Sequence, residues 1–273
     1  MPYISNKSFH KLSVIVPAYR QKKTIVRDVK RLEKTLKNIR YPYEIIVVVD
    51  GYGDGTYKSI RKIASPDIKI LVYQKNQGKG HAVRLGMTKA TGDYIAFIDA
   101  GMEIDPNGIS ILLEHLEWYN ADIIVGSKRH PASIVRYPLG RRFLSRVYQL
   151  LVFLLFRLNV RDTQAGIKIF KRKVLQKMLP RLVVKRYAFD LEMLAVAYHL
   201  GFRRIYEAPI KLKYNFNDLT HASTLKTVYA ILWDTLAIFY RLYILRFYQS
   251  RRRAAKIPSL ASNSWLFFKK QIH

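Results

Sequence analysis

Thr91-Gly92-Asp93-Tyr94-Ile95-Ala96-Phe97-Ile98-Asp99-Ala100-Gly101-Met102-Glu103 decides how the chain is read. An apolar run, Tyr94 to Ile98, stops at a carboxylate, a small residue, a glycine and a second carboxylate. Such a run between turn residues reads as a buried strand of a mostly parallel sheet. In open α/β sheets ligands bind beyond the carboxyl ends of the strands, which is where Asp99 falls. Asp99 and Glu103 are hard oxygen donors suited to Mg²⁺ or Mn²⁺, metals often held by one or two carboxylates plus substrate phosphates. An acidic residue there can equally be a plain turn cap before a helix that starts near Pro106.

The flanking sequence repeats the theme. Leu12 to Val16 reads as a strand closed by Pro17-Ala18-Tyr19, and Thr24 is placed to cap a helix with Ile25, Val29, Leu32, Leu36 and Ile39 at helical spacing. Glu44 to Val49 is a second strand, ending in Asp50 and a glycine-rich turn; Ile68 to Tyr73 is a third. Asn76-Gln77-Gly78-Lys79-Gly80 then leads into a helix through Ala90, and Asp122 to Val125 is a further strand. Strands alternating with helices in this way predict a right-handed, mostly parallel α/β sheet. Tyr19, Asp50 and Asp99 all stand at strand ends, and their convergence favours a phosphate-ligand site. Gly78-Lys79-Gly80 fits either a plain turn or a phosphate-facing loop that offers backbone N–H groups and an ammonium. The spacing of a P-loop is absent, and the first strand–helix turn lacks G-x-G-x-x-G.

Across 273 residues, 48 Lys and Arg face 19 Asp and Glu, a formal charge of +29. That excess predicts polyanionic partners: phosphorylated small molecules, an anionic membrane surface, or nucleic acid. No helix-turn-helix, zinc or RNP-like pattern accompanies it, so nucleic acid is not expected. There is no cysteine, which excludes disulfides and thiol catalysis. Met1 to Lys11 lacks an apolar signal-peptide core, so the expected location is the cytoplasmic face of a membrane, peripheral or monotopic.

Val14-Ile15-Val16-Pro17-Ala18-Tyr19, Val49-Asp50-Gly51, Asn76 to Gly80, Phe97-Ile98-Asp99-Ala100 and Gly126-Ser127-Lys128-Arg129 together resemble the inverting family-2 glycosyltransferases. Val160-Arg161-Asp162-Thr163-Gln164-Ala165-Gly166-Ile167-Lys168-Ile169-Phe170, with Phe189-Asp190-Leu191-Glu192, resembles the branch that makes dolichyl- or polyprenyl-phosphate glucose and mannose. The resemblance implies a single-domain, GT-A-like nucleotide-binding sheet. It further implies that Pro17, Ala18, Tyr19 and Asp50 hold the base and ribose, that Lys79 and Ala100 lie near the donor, and that Asp99 binds the metal on the diphosphate. Lys128 or Arg129, with Arg141, Arg142 and Arg146, would face the acceptor phosphate. The chain departs from the pattern in three places. Val49-Asp50 replaces Asp-Asp, Arg20-Gln21-Lys22 replaces Asn-Glu-Glu, and Asp99-Ala100-Gly101 lacks the second carboxylate of D-x-D, which Glu103 is placed to restore.

The implied reaction moves one hexose, glucose from UDP-glucose or mannose from GDP-mannose, to a polyprenyl or dolichyl phosphate with inversion; a lipid-binding scaffold with a decayed site is the rival. A phosphate monoester is mostly dianionic at neutral pH and needs no strong base to attack. Cations that dock two anions in line matter more. Asp190 and Glu192 are the candidates for any base or sugar-positioning role. They point about 200° apart on a helix, so only one faces a site; Asp190 is preferred, with helix capping as its alternative.

Arg141 to Leu158 has too short an apolar core to span a bilayer and reads as an interfacial or a buried helix. Along Leu225 to Tyr248, Thr227, Asp234 and Arg241 recur every seven positions as a narrow wet stripe. That helix suits a membrane interface or a homo-oligomer contact. The expected organisation is a glycosyltransferase domain over 1–215, a membrane-facing helical extension over 216–253, and a basic, flexible tail over 254–273 carrying Trp265 to Lys270.

Overall fold

Leu12-Ser13-Val14-Ile15-Val16-Pro17-Ala18 is buried at every position, as the central strand of a two-faced sheet must be. In the computed structural model, which describes residues 10–134, 139–185, 188–212 and 225–249 (backbone only for 139–144 and 225–227), it forms β1. The other strands are β2 (Tyr43–Asp50), β3 (Ile68–Tyr73), β4 (Tyr94–Ile98), β5 (Ile123–Ser127), β6 (Ile167–Lys171) and β7 (Ile205–Pro209). The helices are α1 (Ile25–Leu36), α2 (Thr56–Ile60), α3 (Lys79–Lys89), α4 (Gly108–Trp118), α5 (Leu139–Phe156), α6 (Arg172–Met178), α7 (Phe189–His199) and α8 (Leu225–Phe239).

The seven strands lie in the order β3-β2-β1-β4-β6-β5-β7. Alternate side chains of β1 and β2 serve opposite layers. Val14, Val16, Ile45 and Val47 pack with Val29, Leu32, Leu112 and Leu116 of α1 and α4. Ile15, Ile46 and Val48 pack with Val83 and Met87 of α3 and, beyond them, with α6, α7 and the C-terminal helix. This is the expected α/β arrangement, with one addition. β6 runs antiparallel to both β4 and β5, so the sheet is mixed at that point, and β7 extends it in parallel with β5. β6 escaped the sequence reading because lysines at 168 and 171 break its apolar run, and Lys168 is nonetheless fully buried. Thr24 also differs from expectation: its hydroxyl donates to Gln21 Oε1 at 2.6 Å and caps nothing.

The strand starts are locked by Glu44. Its carboxylate accepts from Ser13 Oγ at 2.6 Å, from Thr91 N and Oγ1 at 2.6 and 2.7 Å, and from Lys69 Nζ at 2.7 Å. Gly92 completes the joint, since a Cβ there would meet Lys11 O at 2.5 Å. Burial alone would raise the Glu44 pKa, but the donors from Lys69, Ser13 and Thr91 outweigh it and bring it down to about 2. A folded-state pKa below the unfolded value contributes stability above the unfolded pKa, and that contribution is lost as pH falls through the folded one. Glu44→Gln is therefore expected to cost about 3 kcal/mol at pH 7. In urea titrations the gap from the unaltered protein should close as pH falls from about 5 toward 2.

At the C-terminal side, α8 packs on α5 through Tyr148 Oη and Thr235 Oγ1 (3.0 Å) and the Phe156 and Phe239 rings (6.2 Å). The chain then widens into a π-turn, Tyr240–Ile244, before a 3-10 turn, Phe247–Gln249. Thr235, Ile238, Leu242 and Tyr248 point inward. Tyr229, Leu232, Trp233, Leu236, Tyr240 and Ile244 are exposed, joined by Val147, Leu150, Phe153 and Leu154 of α5. No helix among the described residues is long and apolar enough to cross a membrane. The expected boundary at 215/216, the arginines 251–253 and the tail with Trp265 to Lys270 lie outside the described residues.

Candidate active site

The carboxyl end of β4 delivers Asp99 beside Gly166, the residue just before β6: Asp99 N donates to Gly166 O at 3.0 Å. The side chain turns to the N-terminus of α3, where Lys79 Nζ lies 2.8 Å from Oδ1 and donates to Oδ2 at 3.0 Å. Lys79 reaches onward to Asp190 Oδ2 at 3.5 Å, at the start of α7. One ammonium thus bridges two carboxylates from different ends of the chain. Burial would lower its pKa, but Asp190 and then Asp99 outweigh it and hold it above the ordinary lysine range. Burial works against the Asp190 charge too, and Lys168 and Lys79 prevail, keeping its pKa below the usual value. Glu192 turns the other way, as the helical offset requires. It accepts from Val183 N, Val184 N and Tyr248 Oη, and burial raises its pKa.

Asp50, expected beside the base and ribose, is engaged by the chain itself. Its Oδ1 accepts from Tyr73 Oη and Gln77 N, both at 2.7 Å, and its Oδ2 from Asn76 Nδ2 and Gly78 N, both at 2.9 Å. Those four donors fill the lone-pair positions of a carboxylate, leaving none for a ribose. Asp50 instead folds the Asn76–Gly78 turn that presents Lys79. Gly78 enables the turn with φ +98, a value L side chains rarely adopt. Pro17 and Ala18 are buried at the end of β1, so of that trio only Tyr19 shows its side chain to solvent, with Arg20 5.1 Å over its ring. Arg20, at φ +56, is held by donation from its N–H to Asp54 Oδ2 at 2.5 Å.

The cationic flank is anchored by Asp162, which accepts from Lys128 N at 3.0 Å and lies 3.8 Å from Lys128 Nζ. Arg129 lies against Gln149 and Ser145 of α5. Arg146, one residue on, is exposed and lines a cavity of about 280 Å³ with Gln149, Leu150, Phe153, Leu158 and Asn159. Arg141 and Arg142 belong to the same helix, with side chains outside the described residues.

The model for Glycosyl transferase family 2 matches residues 13–179, more than half of the chain. The chain belongs to that family. Dolichyl-phosphate beta-glucosyltransferase of Dictyostelium discoideum is 32% identical over 70% of this chain and 63% of its own length. The Homo sapiens protein of that name is 33% identical over 72% and 66%. The chain therefore spans just under two thirds of the length of these two relatives. Among solved structures, mannosyl-3-phosphoglycerate synthase from Rubrobacter xylanophilus superposes with a TM-score of 0.66 at 15% identity, covering 89% of this chain and 77% of that one. Glucosyl-3-phosphoglycerate synthase from Mycobacterium tuberculosis, in complex with Mn²⁺, UDP and phosphoglyceric acid, gives 0.62 at 17%, covering 85% and 78%. At such identities the two structures establish the fold.

Neighbours with this fold are crystallised with Mn²⁺ or Mg²⁺. In this family-2 chain no group of three or more metal-ligating side chains occurs among the described residues. Asp99 is the one carboxylate at the strand end; its Oδ1 has Lys79 Nζ at 2.8 Å as its ion-pair partner, and Glu103 stands exposed four residues on. Hard oxygens of this kind fit a divalent ion that completes its shell with substrate phosphates and water. Asp162, Gly166 and Lys168 had no individual role in the sequence reading. The one signal for Lys168 was a charge inside an otherwise apolar strand, which demands a buried partner.

Proposed function

We propose that this chain transfers a single hexose, glucose from UDP-glucose, to dolichyl or polyprenyl phosphate with inversion, while seated peripherally on the cytoplasmic face of a membrane. The bridge from Asp99 through Lys79 to Asp190, beside the Lys128–Arg129 flank, carries this reading. A fixed ammonium next to a basic surface that continues into an apolar one suits a departing nucleotide diphosphate and a lipid phosphate acceptor. The dolichyl-phosphate glucosyltransferase relatives support the acceptor and the sugar.

In the proposed reaction Tyr19 and the Arg20 loop receive the nucleoside, and Lys79 faces the diphosphate and stabilises its charge as the glycosidic bond breaks. Lys128, Arg129 and Arg146, with Arg141 and Arg142, dock the acceptor phosphate for in-line attack on the anomeric carbon. Asp190 is ionised but carries an ammonium on each oxygen, so it orders cations and takes no proton. A Mg²⁺ or Mn²⁺ ion held by Asp99 and Glu103 would add neutralisation of the diphosphate.

Purified protein given UDP-[14C]glucose, GDP-[14C]mannose and dolichyl phosphate in vesicles with Mn²⁺ tests the reading. Labelled glucosyl lipid is expected; lipid product from GDP-mannose alone transfers the reading to mannose, and no product from either leaves the scaffold. The apolar face of α5 and α8 gives a separate expectation. Replacing Trp233 and Leu236 together by serine should weaken flotation with anionic vesicles at least about tenfold, from the apolar area lost. Both side chains are exposed, so the melting temperature should hold. Unchanged flotation places the membrane contact elsewhere.

A further inference from the structure

Lys168 sits on β6 between Ile167 and Ile169 with no accessible surface. Its Nζ lies 2.6 Å from Asp190 Oδ1 and 2.7 Å from Ala165 O. Taking an ammonium out of water is costly unless it is well paired, and an apolar side chain would fill a strand interior more cheaply. Here the pairing acts at a distance. Asp190 has Lys168 on Oδ1 and Lys79 on Oδ2, and Lys79 has Asp99 beyond it. The Phe97 ring lies under both ammonium groups, 5.3 Å from Lys79 Nζ and 5.2 Å from Lys168 Nζ. Two carboxylates and two ammonium groups therefore alternate in one line, with Lys168 at its closed end and Asp99 at its open end.

The geometry points to Lys168 as a positioning residue for sugar transfer, resting on the reading of the open end as a diphosphate site. Its buried charge pins one oxygen of Asp190, so the other oxygen, together with Asp99, sets the place of the Lys79 ammonium. Without it, Asp190 would keep Lys79 as its one partner, drawing that ammonium inward and away from the donor. The remaining groups facing the line are already engaged. Tyr148 on α5 bonds Thr235, burial raises its pKa and it stays neutral; Asp162 holds Lys128.

Lys168→Met, Lys168→Arg and the double variant Lys168→Met/Asp190→Asn, in the full chain, test this by calorimetry with UDP and with uridine, and by turnover of UDP-glucose from pH 5.5 to 8. Lys168→Met is expected to lose about 10- to 100-fold in UDP affinity and turnover, the usual cost of removing an outer supporting partner. Uridine affinity should be unchanged, and an acid loss beyond the one that protonation of the acceptor phosphate at about pH 6 gives every variant should appear as Asp190 becomes able to protonate. Lys168→Arg should keep the profile of the unaltered protein. The double variant removes a buried charge pair, so it should recover thermal stability without recovering UDP affinity; it carries the test should Lys168→Met fail to fold. Recovery of both in the double variant, or the unaltered protein's pH profile with unchanged UDP affinity in Lys168→Met, overturns the positioning role. If the unaltered protein binds UDP with the expected Lys168 dependence yet transfers no glucose, the positioning role stands and the choice of donor falls.

Discussion

Lys79→Met should lower turnover of UDP-glucose by about a hundred- to a thousandfold, the range found when one preorganised charge at a developing anion is deleted. The substitution keeps the stem of the side chain and removes the group 2.8 Å from Asp99 and 3.5 Å from Asp190. On the proposed reading, two carboxylates would then face the donor diphosphate with nothing between them, so repulsion would add to the lost attraction. Asp190 retains Lys168, and the Lys79 side chain is already 33% exposed, which limits the structural damage. Lys79→Arg should fall between, because a planar guanidinium cannot occupy the compact space of an ammonium between two carboxylates. Rates at saturating donor, with the melting temperature as control, decide the matter. Turnover within about threefold of the unaltered protein would remove Lys79 from the chemistry, since a charge that stabilises the leaving group cannot be worth so little.

Sequence showed the left half of the sheet better than the right. β1 to β4 are runs of apolar residues ended by turn chemistry, and their alternation with helices fixes a parallel order. β6 and β7 carry Lys168, Lys171 and Glu207 in short segments, so their apolar periodicity is lost. The same limit applies to individual residues. That Asp99 ends a strand was readable from local pattern, and the helical offset of Asp190 and Glu192 correctly separated their directions. What Asp50 does was not readable, because its four partners come from the end of β3 and the turn after it, more than twenty residues later, and a carboxylate at a strand end looks alike whether it serves a ligand or a loop. The wet stripe over α8 and the turn after it was visible as a period of seven, but its direction was not: Arg241 faces Glu192 and Tyr248 in the body of the protein, and Tyr229, Trp233 and Tyr240 face out.

Gly166→Ala is expected to reduce turnover about as much as Asp99→Ala, roughly a hundredfold, although it adds one methyl group and removes nothing. An ideal Cβ at Gly166 would lie 2.4 Å from Asp99 Oδ2 and 2.9 Å from its Cγ, so the Asp99 carboxylate must swing aside and release Lys79. Gly166 is not among the glycines at positive φ, so the backbone accepts alanine and the damage is confined to that contact. Gly101→Ala supplies the opposite case. Its φ is +90 and open space surrounds the new Cβ, so it should cost about 1–2 kcal/mol of stability through backbone strain while leaving Asp99 in place and turnover nearly intact. The decisive measurement is the cycle of Gly166→Ala with Asp99→Ala. If the methyl group acts through Asp99, adding it to a chain that already lacks the carboxylate costs no further activity. Additive losses would mean that Gly166 shapes the site by some route other than the carboxylate it touches.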